Sequence, residues 1–278
     1  MQTEWQVVGQ SVRGATHERN GLPNQDAIRW LPSSGRGSTV VLAVADGHGS
    51  ARYPRSHTGA QIAVQIATKL LDDFLNSQAD AGNLSLIKDA IEEWLPRTLV
   101  RNWTEAVAEN LKAEPLSPDE CASVGLADEP VAYGTTLLAA AVTERFAVYL
   151  QLGDGDILTV SDGGVVSRPL TKDDRLLGNE TTSLCAAEAW RDFRVSFQLL
   201  RQSHPALILL STDGYPNSFR DESGFLQVGS DLLSMIQEHG LTKVKDSLAG
   251  WLSDSTHAGS GDDVTLGLIY HPQITQIG

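Results

Sequence analysis

The chain has 278 residues, of which 41% are hydrophobic and 20% charged, so its composition is ordinary for a globular protein with a sizeable core. Its 21 lysines and arginines stand against 35 aspartates and glutamates, and the net charge of −14 argues against nucleic-acid binding, which needs a basic surface. No apolar stretch is long enough to span a membrane, no signal peptide is visible, and Cys121 and Cys185 form no motif. We therefore expect a cytoplasmic protein that is not bound to a membrane.

The N-terminal third alternates short apolar runs with turns and predicts three strands. We expect them at residues 5–11, 26–31 and 39–45, with a hairpin turn at 33–35. Apolar residues then recur at four-residue spacing from Ile62 to Phe74, which is typical of one face of an amphipathic helix. This part of the chain therefore predicts strands followed by a helix.

A second helical pattern extends over residues 84–113, where Pro96 is expected to kink or divide the helix. Residues 114–130 are rich in proline and acidic side chains, and they predict a long surface connection.

Predicted strands dominate the C-terminal half. We expect them at residues 133–142, 145–152, 156–161, 194–200, 206–211 and 264–270. Residues 170–190 lack periodicity and predict an irregular flap, which we hypothesise gates access to a site. Two helices are expected near residues 230–238 and 242–252. Because blocks of strands alternate with blocks of helices and no composition shift marks a linker, we predict one α+β domain over residues 1–278.

Four acidic residues stand where apolar strands end in glycine-marked turns. Asp46 follows the apolar run 40–45, and Asp154, Asp213 and Asp262 occupy comparable places. An Asp-Gly pair alone is usually just a turn, but carboxylates from separate strand ends can converge on one site. Oxygen ligands without a Cys/His cluster favour a hard cation such as Mg²⁺ or Mn²⁺. The pattern therefore predicts metal-assisted hydrolysis.

Six short motifs give the chain a resemblance to a known family. They are Asn-Gln-Asp at 24–26, Val-Ala-Asp-Gly-His-Gly at 44–49, Gly-Thr-Thr at 134–136, Gly-Asp-Gly at 153–155, Ser-Thr-Asp-Gly at 211–214 and Gly-Asp-Asp-Val-Thr at 261–265. In this order and spacing the chain resembles the PPM-type, metal-dependent Ser/Thr protein phosphatases of the type 2C class, over residues 5–270. Gly-Asn-Glu-Thr at 178–181 is similar to a divergent, mainly bacterial branch. The resemblance implies a four-layer α/β/β/α sandwich with two central antiparallel sheets flanked by helices.

The resemblance also implies a set of metal ligands. Asp46 matches the carboxylate that bridges two metal ions, Mn²⁺ or Mg²⁺, and the Gly47 carbonyl, Asp213 and Asp262 match the remaining ligands of the binuclear site. Asp154 resembles the residue that, with Asp213, holds a third and weaker metal. Two cations that share a water lower its pKa and position it for in-line attack on phosphorus, so that no phosphoenzyme is needed.

His48 resembles the general acid that protonates the departing serine or threonine oxygen. A histidine near neutral pKa can do this at physiological pH, particularly if a neighbouring carboxylate raises its pKa.

The chain departs from the family pattern at three positions. Gln25 stands where the family usually has a glutamate that orders metal-bound water, and a neutral amide is expected to weaken that metal site. Asp263 replaces the asparagine of the last motif. Gly21 stands where the family has its phosphate-binding arginine, and Arg19 or His17 in the same loop could contact phosphate instead.

We therefore predict a monomeric enzyme that hydrolyses phosphoserine and phosphothreonine on proteins, in the pathway of a cognate Ser/Thr kinase. Two alternatives stay open at this point. One is a weak or inactive phosphatase-like module that binds phosphoproteins or a kinase, which Gln25 and the missing arginine at position 21 motivate. The other is a metal-dependent hydrolase of small phosphoesters.

Overall fold

Strands and helices follow one another in blocks, as seen in a computed structural model that describes residues 4–77, 84–125, 129–172, 181–200 and 204–272. Strands β1 to β11 are, in chain order, Trp5–Val12, Asp26–Leu31, Arg36–Gly37, Val40–Asp46, Leu137–Val142, Phe146–Leu152, Asp156–Val160, Val166–Ser167, Arg194–Leu199, Leu207–Ser211 and Val264–Tyr270. Helices α1 to α7 are Ala15–Asn20, Ser56–Ser77, Leu84–Asp89, Leu95–Ala113, Pro118–Val124, Glu222–His239 and Leu241–Ala258.

The strands form two antiparallel sheets. One has the order β3-β1-β11-β10-β7-β8 and the other the order β2-β4-β5-β6-β9. The two faces of β4 belong to different cores, because Val41 and Ala43 pack with the helices α2 and α4, whereas Leu42 and Val44 pack with residues of the other sheet. A strand that is buried on both faces reads as one continuous apolar run, which explains the pattern at residues 40–45.

Helices cover the outer face of each sheet. Helices α2 and α4 pack on the five-stranded sheet around Trp103, and α6 and α7 pack on the six-stranded sheet, where Leu232 and Leu248 meet Leu209 and Leu268. The predicted α+β fold, a four-layer sandwich with two central antiparallel sheets, is confirmed. No helix in the described ranges combines the length and the hydropathy of a membrane-spanning segment.

Some predicted elements differ from the structure. Residues 114–130 are more than a connection, because they contain α5, which begins after the N-cap Ser117, and a 3₁₀ turn at Glu129–Tyr133. The pattern at 84–113 is interrupted by a π-helical stretch, Ala90–Trp94, just before Pro96, as the proline predicts. Residues 173–180 of the predicted flap lie outside the described residues.

The acidic strand ends meet at one edge of the two sheets. Asp26 at the start of β2 lies opposite Asp46 at the end of β4. In the other sheet Ser211, at the end of β10, lies opposite both Leu266 of β11 and Asp156 of β7. Antiparallel pairing therefore brings the end of one strand beside the start of the next, and the turns that carry aspartates all open toward the same edge.

Candidate active site

A cleft of about 860 Å³ lies at this edge of the sheets. It is lined by most of the predicted site residues, namely His17, Asp46, Gly47, His48, Asp154, Asp213 and Asp262. The structure thus brings together four aspartates that are far apart in the sequence. Gln25 and Arg19 are not part of the cleft lining, although Gln25 lies just beneath it.

The Gly-Thr-Thr motif holds the backbone of Asp46 in place. The Thr136 amide and the Thr135 hydroxyl both donate to the Asp46 carbonyl at 2.8 Å, and the Asp46 amide donates to the Thr136 hydroxyl at 3.0 Å. Gly47 is needed next to it, because a Cβ there would lie 2.7 Å from the Gln25 carbonyl oxygen. The start of β5 and the loop before β2 therefore fix the direction in which the Asp46 carboxylate leaves the sheet.

Asp213 and Asp262 come from the adjacent strands β10 and β11. The two turns touch through their backbones, since a side chain on Gly214 would collide with the Asp263 carbonyl oxygen. Asn217 donates to Asp213 Oδ2 at 3.0 Å, and the Asp263 amide donates to Asp262 Oδ1 at 2.8 Å. Asp262 lies at the mouth of the cleft, with its side chain 53% exposed.

Asp154 and His48 form another wall of the cleft. Asp154 lies on the connection between β6 and β7, and Thr181 of the predicted flap donates to its Oδ1 at 2.9 Å. The His48 ring packs edge-on against Tyr53, with ring centroids 4.7 Å apart. Burial lowers the pKa of His48 to about 4, while the charge of Asp154 acts in the opposite direction. Desolvation outweighs the neighbouring carboxylate, so the imidazole is neutral at pH 7 in the metal-free site.

The Asp46 and Asp213 carboxylates of the cleft are largely buried and repel one another. Burial raises the pKa of Asp46 well above its usual value, and the charges of Asp26 and Asp213 raise it further. Burial is also the main cause that raises the pKa of Asp213 to about 6. Hydrogen bonding between the two carboxyl groups raises the pKa of Asp46 further and lowers the pKa of Asp213. In the absence of a compensating cation, the cluster retains protons near neutral pH.

Two buried oxygen atoms next to the cleft have no hydrogen-bond partner. They are Gln25 Oε1 and Asp26 Oδ1. Gln25 Nε2 donates to the Ser56 hydroxyl at 2.8 Å, which leaves its oxygen available to accept a hydrogen bond from water. Uncompensated carboxylates, unpaired oxygen acceptors and a predominantly oxygen donor set fit divalent cations with their coordinated waters.

A sequence profile described as protein phosphatase 2C matches residues 13–253, which is most of the chain. The chain belongs to the protein phosphatase 2C family. It is a protein-serine/threonine phosphatase, as the six motifs predict. Among curated protein sequences, none matches the chain significantly.

Solved phosphatase structures share the fold of this family member at low sequence identity. The catalytic domain of the serine/threonine protein phosphatase PstP, in complex with two manganese ions, is 21% identical, and the match covers 97% of this chain and 99% of that one, with a TM-score of 0.56. Stp1 from Staphylococcus aureus is 17% identical over 98% of this chain and 97% of its own, with a TM-score of 0.59. PppA from Pseudomonas aeruginosa is 18% identical over 96% and 98%, with a TM-score of 0.57.

The two candidates for phosphate binding, Arg19 and His17, lie in different surroundings. Arg19 lies on the exposed side of α1, where its guanidinium donates to the Thr16 hydroxyl at 3.0 Å, and it does not line the cleft. His17, two residues earlier, is buried and does line the cleft. Gly21 ends α1 in the left-handed conformation, with φ of 69°. The role of Arg19 therefore stays a prediction, and the geometry favours His17 as the side chain that reaches the site.

Sequence reasoning missed the connecting role of Asp263. This buried carboxylate accepts a hydrogen bond from the Gly14 amide through Oδ1 and another from the Gln25 amide through Oδ2, each at 2.6 Å. Its Oδ2 also lies 2.9 Å from His17 Nδ1. An asparagine has a single side-chain oxygen and could not accept from both amides in this way. The departures at positions 25 and 263 therefore contact each other and form one unit with His17.

Asp26 is a second group that sequence reasoning left without a role. Its Oδ2 accepts hydrogen bonds from the Thr212 and Thr265 hydroxyls at 2.7 Å each, and burial raises its pKa well above the usual value. Its position beside Gln25 in the Asn-Gln-Asp motif is the signal that could have identified it.

Proposed function

We propose that this phosphatase hydrolyses phosphoserine and phosphothreonine in protein substrates with two divalent cations, Mn²⁺ or Mg²⁺, held by Asp46, the Gly47 carbonyl, Asp213 and Asp262. The observation that carries the proposal is the convergence of these carboxylates in one cleft, where burial and mutual repulsion raise the pKa of Asp46 and Asp213. Two cations at these ligands would lower the pKa of a water in the cleft and offset the charge on the phosphoryl oxygens. Asp154, with Asp213, would hold a third and weaker cation.

Other groups of the chain orient water and move the proton. Gln25 Oε1, which has no hydrogen-bond partner of its own, accepts a hydrogen bond from water in the cleft and helps to orient it. His48 donates a proton to the departing serine or threonine oxygen. Because burial lowers the pKa of this ring to about 4, the charge of the substrate phosphate has to raise its pKa before the ring can act as an acid.

The cleft favours a protein substrate over the second enzymatic alternative, a small phosphoester. Sites for small molecules usually enclose most of their ligand in a predominantly apolar pocket. Here the cleft is open and its lining is mostly polar or charged, which suits a phosphorylated segment on a protein surface. The inactive binding module gains no support, since the cleft keeps all four aspartates and His48. A cognate kinase, the cytoplasmic location and the monomeric state stay predictions.

Phosphate release from a phosphothreonine peptide tests this proposal. Metal-stripped protein would be titrated with Mn²⁺ and then with Mg²⁺, beside Asp46→Asn and Asp213→Asn. Asp246→Asn is a matched control, because Asp246 is exposed on α7, away from the cleft. A parallel assay on a sugar phosphate separates protein substrates from small ones.

We expect metal-dependent turnover of the peptide in the wild-type protein and in Asp246→Asn. Both cleft variants should lose it by on the order of a thousandfold, because each removes a ligand that the transition state depends on. No turnover at any metal concentration in folded protein would refute the enzymatic proposal. Faster turnover of the sugar phosphate would favour the small-phosphoester alternative.

A further inference from the structure

His17 lies against two carboxylates at the cleft, and the proposed mechanism gives it no role. His17 is 8% exposed, and its Nδ1 has no hydrogen-bond partner although it lies 2.9 Å from Asp263 Oδ2. At the other end of the ring, Nε2 lies 3.9 Å from Asp262 Oδ1. The imidazole is thus placed between two carboxylates, one buried and one at the mouth of the cleft.

The surrounding backbone holds the ring in this orientation. Two backbone amides donate to Asp263 at 2.6 Å, so this carboxylate cannot turn away from the ring. A Cβ built on Gly49 would lie 4.0 Å from His17 Nε2 and 3.6 Å from Gln25 Oε1, which places both atoms beneath the same glycine. Nε2 therefore faces the part of the cleft that contains Asp262 and the unpaired oxygen of Gln25.

We propose that His17 is a nitrogen ligand of the cation held by Asp262, and that Asp263 orients its ring. This inference rests on the proposed function, since it adds a ligand to one of the two proposed metal positions. Histidines that bind metals commonly present one nitrogen to the ion and the other to a carboxylate. His17 has this arrangement, with Asp263 beside Nδ1 and the Asp262 position beyond Nε2.

The proposed ligand has a consequence for the choice of metal. Mg²⁺ prefers an all-oxygen octahedron, whereas Mn²⁺ and later first-row ions accept imidazole more readily. The metal position at Asp262 should therefore bind Mn²⁺ in preference to Mg²⁺, and His17 should be the main cause of that preference.

The test is electron spin-echo envelope modulation on Mn²⁺ added to the metal-stripped, full-length protein at one to three equivalents. We expect modulation from a coordinated nitrogen, and the pattern should change when the protein is labelled with ¹⁵N-histidine. The signal should be lost in His17→Gln and kept in His48→Gln, which controls for the other histidine of the cleft. In calorimetry, His17→Gln should weaken Mn²⁺ binding at one site by about tenfold or more and Mg²⁺ binding by less than about threefold.

If His17→Gln does not fold, the labelled wild-type protein and a labelled His48→Gln variant together decide whether His17 supplies the nitrogen, because His17 and His48 are the two histidines among the described residues that line the cleft. Bound Mn²⁺ without histidine-nitrogen modulation at any loading would overturn the proposal. So would a His17→Gln variant that binds Mn²⁺ normally but has a raised KM for the phosphopeptide, because His17 would then contact phosphate and not metal. The spectroscopic and calorimetric outcomes do not depend on turnover, and only the KM comparison does, so failure of the proposed phosphatase mechanism would be recognised separately.

Discussion

The protein contains two clusters of buried charge that are built in opposite ways. In the first cluster, all five N–H groups of the Arg55 guanidinium donate hydrogen bonds: to both Glu120 oxygens at 2.8 and 2.9 Å, to the Tyr133 hydroxyl at 2.9 Å, and to the carbonyls of Glu114 and Pro115. In the cleft, by contrast, several carboxylates lie together, the described lining residues include no lysine or arginine but only the histidines His17 and His48, and two nearby buried oxygens have no hydrogen-bond partner.

The two clusters differ in whether their charges are compensated. The compensated Arg55 network suits a role in stabilising the fold, whereas the uncompensated carboxylates of the cleft suit the binding of a cation. A buried ion pair whose hydrogen bonds are all formed leaves nothing for a ligand to complete. A buried cluster of like charges is unfavourable until a cation enters. The two clusters are also neighbours, because Arg55 follows the loop that carries Gly47 and His48 and its amide donates to the Ala132 carbonyl at 2.9 Å. We call the Arg55–Glu120 network the balanced cluster and the carboxylates of the cleft the unbalanced cluster. The balanced cluster thus anchors one end of the loop that carries Gly47 and His48, which line the cleft of the unbalanced cluster.

Among the substitutions considered below, His48→Gln in the unbalanced cluster should have the largest effect, and this effect is on catalysis. For a phosphothreonine peptide, whose leaving alkoxide needs a proton, kcat should fall by about 10²–10⁴-fold. For p-nitrophenyl phosphate the leaving phenolate is stable without a proton, and the loss should be less than about tenfold. His57→Gln is the matched control, because His57 contacts Thr58 on α2 and does not line the cleft. Equal losses for both substrates would show that His48 does not act as the acid.

A substitution in the balanced cluster should lower the free energy of unfolding and leave the metal affinity of the protein unchanged. Arg55→Met leaves the Glu120 carboxylate, whose side chain is 24% exposed, without its cation, so the cost should be about 2–4 kcal/mol, somewhat below that of breaking a fully buried pair. The Arg55 side chain is 9% exposed, whereas Arg101, which pairs with Glu105 at 3.9 Å, is 65% exposed. Arg101→Met should therefore change the free energy of unfolding by less than about 1 kcal/mol in urea titrations. A loss of similar size in both variants would contradict the comparison.

In the unbalanced cluster, removing a charge should have the opposite effect on stability. We expect Asp213→Asn to stabilise the metal-free protein. The folded pKa of Asp213 is about 6 and the ordinary value is 3.8, so between these pH values the native state holds more protons than the unfolded state. The free energy of unfolding of the wild-type protein therefore falls as pH rises from about 4 to 6 and stays lowered above it. Removing the charge should recover on the order of 1–3 kcal/mol at pH 7.5, and close to nothing at pH 4.

Thermal unfolding with and without Mn²⁺ completes this test. With saturating Mn²⁺ the order should reverse, because the wild-type protein keeps a proposed metal ligand that the variant lacks. Asp246→Asn should show neither the gain nor the reversal. A variant that is less stable than the wild type both with and without metal would mean that Asp213 contributes more through its hydrogen bond with Asn217 than its charge costs.

The sheets and the aspartates of the cleft were predictable for a shared physical reason. Central strands such as β4 and β11 are buried on both faces, so they read as unbroken apolar runs, and an aspartate with a glycine marks the point where each run leaves the sheet. The six motifs then predicted a role for each of these aspartates, and those roles stay predictions. The connection of Asp263 to Gly14 and Gln25 was not predictable, because these residues are more than two hundred positions apart in the sequence and no local pattern records the contact.

The missed helix α5 is a different case, because its signal was in the sequence. Ser117 and Glu120 have the spacing of a capping box, and Pro118 occupies the first helical turn, where proline is favoured. Reading residues 114–130 by their proline and acid content alone concealed this pattern. Arg55 was missed for the converse reason, since a single arginine has no local partner that would reveal a network.

Ser117→Ala tests how far the balanced cluster depends on that capping box, and it has the smallest expected effect. The Ser117 hydroxyl accepts from the Glu120 amide at 3.2 Å, and Glu120 Oε2 accepts both from the Ser117 amide at 2.8 Å and from Arg55. Loss of the cap should cost about 1 kcal/mol in urea unfolding, and Ser123→Ala on the same helix should stay within about 0.5 kcal/mol.

Combining Ser117→Ala with Arg55→Met measures the coupling between the cap and the ion pair. If the cap acts by holding Glu120 in place for Arg55, its loss should cost less once Arg55 is gone, and the two changes should not add. Strict additivity would mean that α5 is stabilised independently of the network. The cluster would then be balanced by the Arg55–Glu120 pair alone, and the capping box would be a separate, local property of the helix.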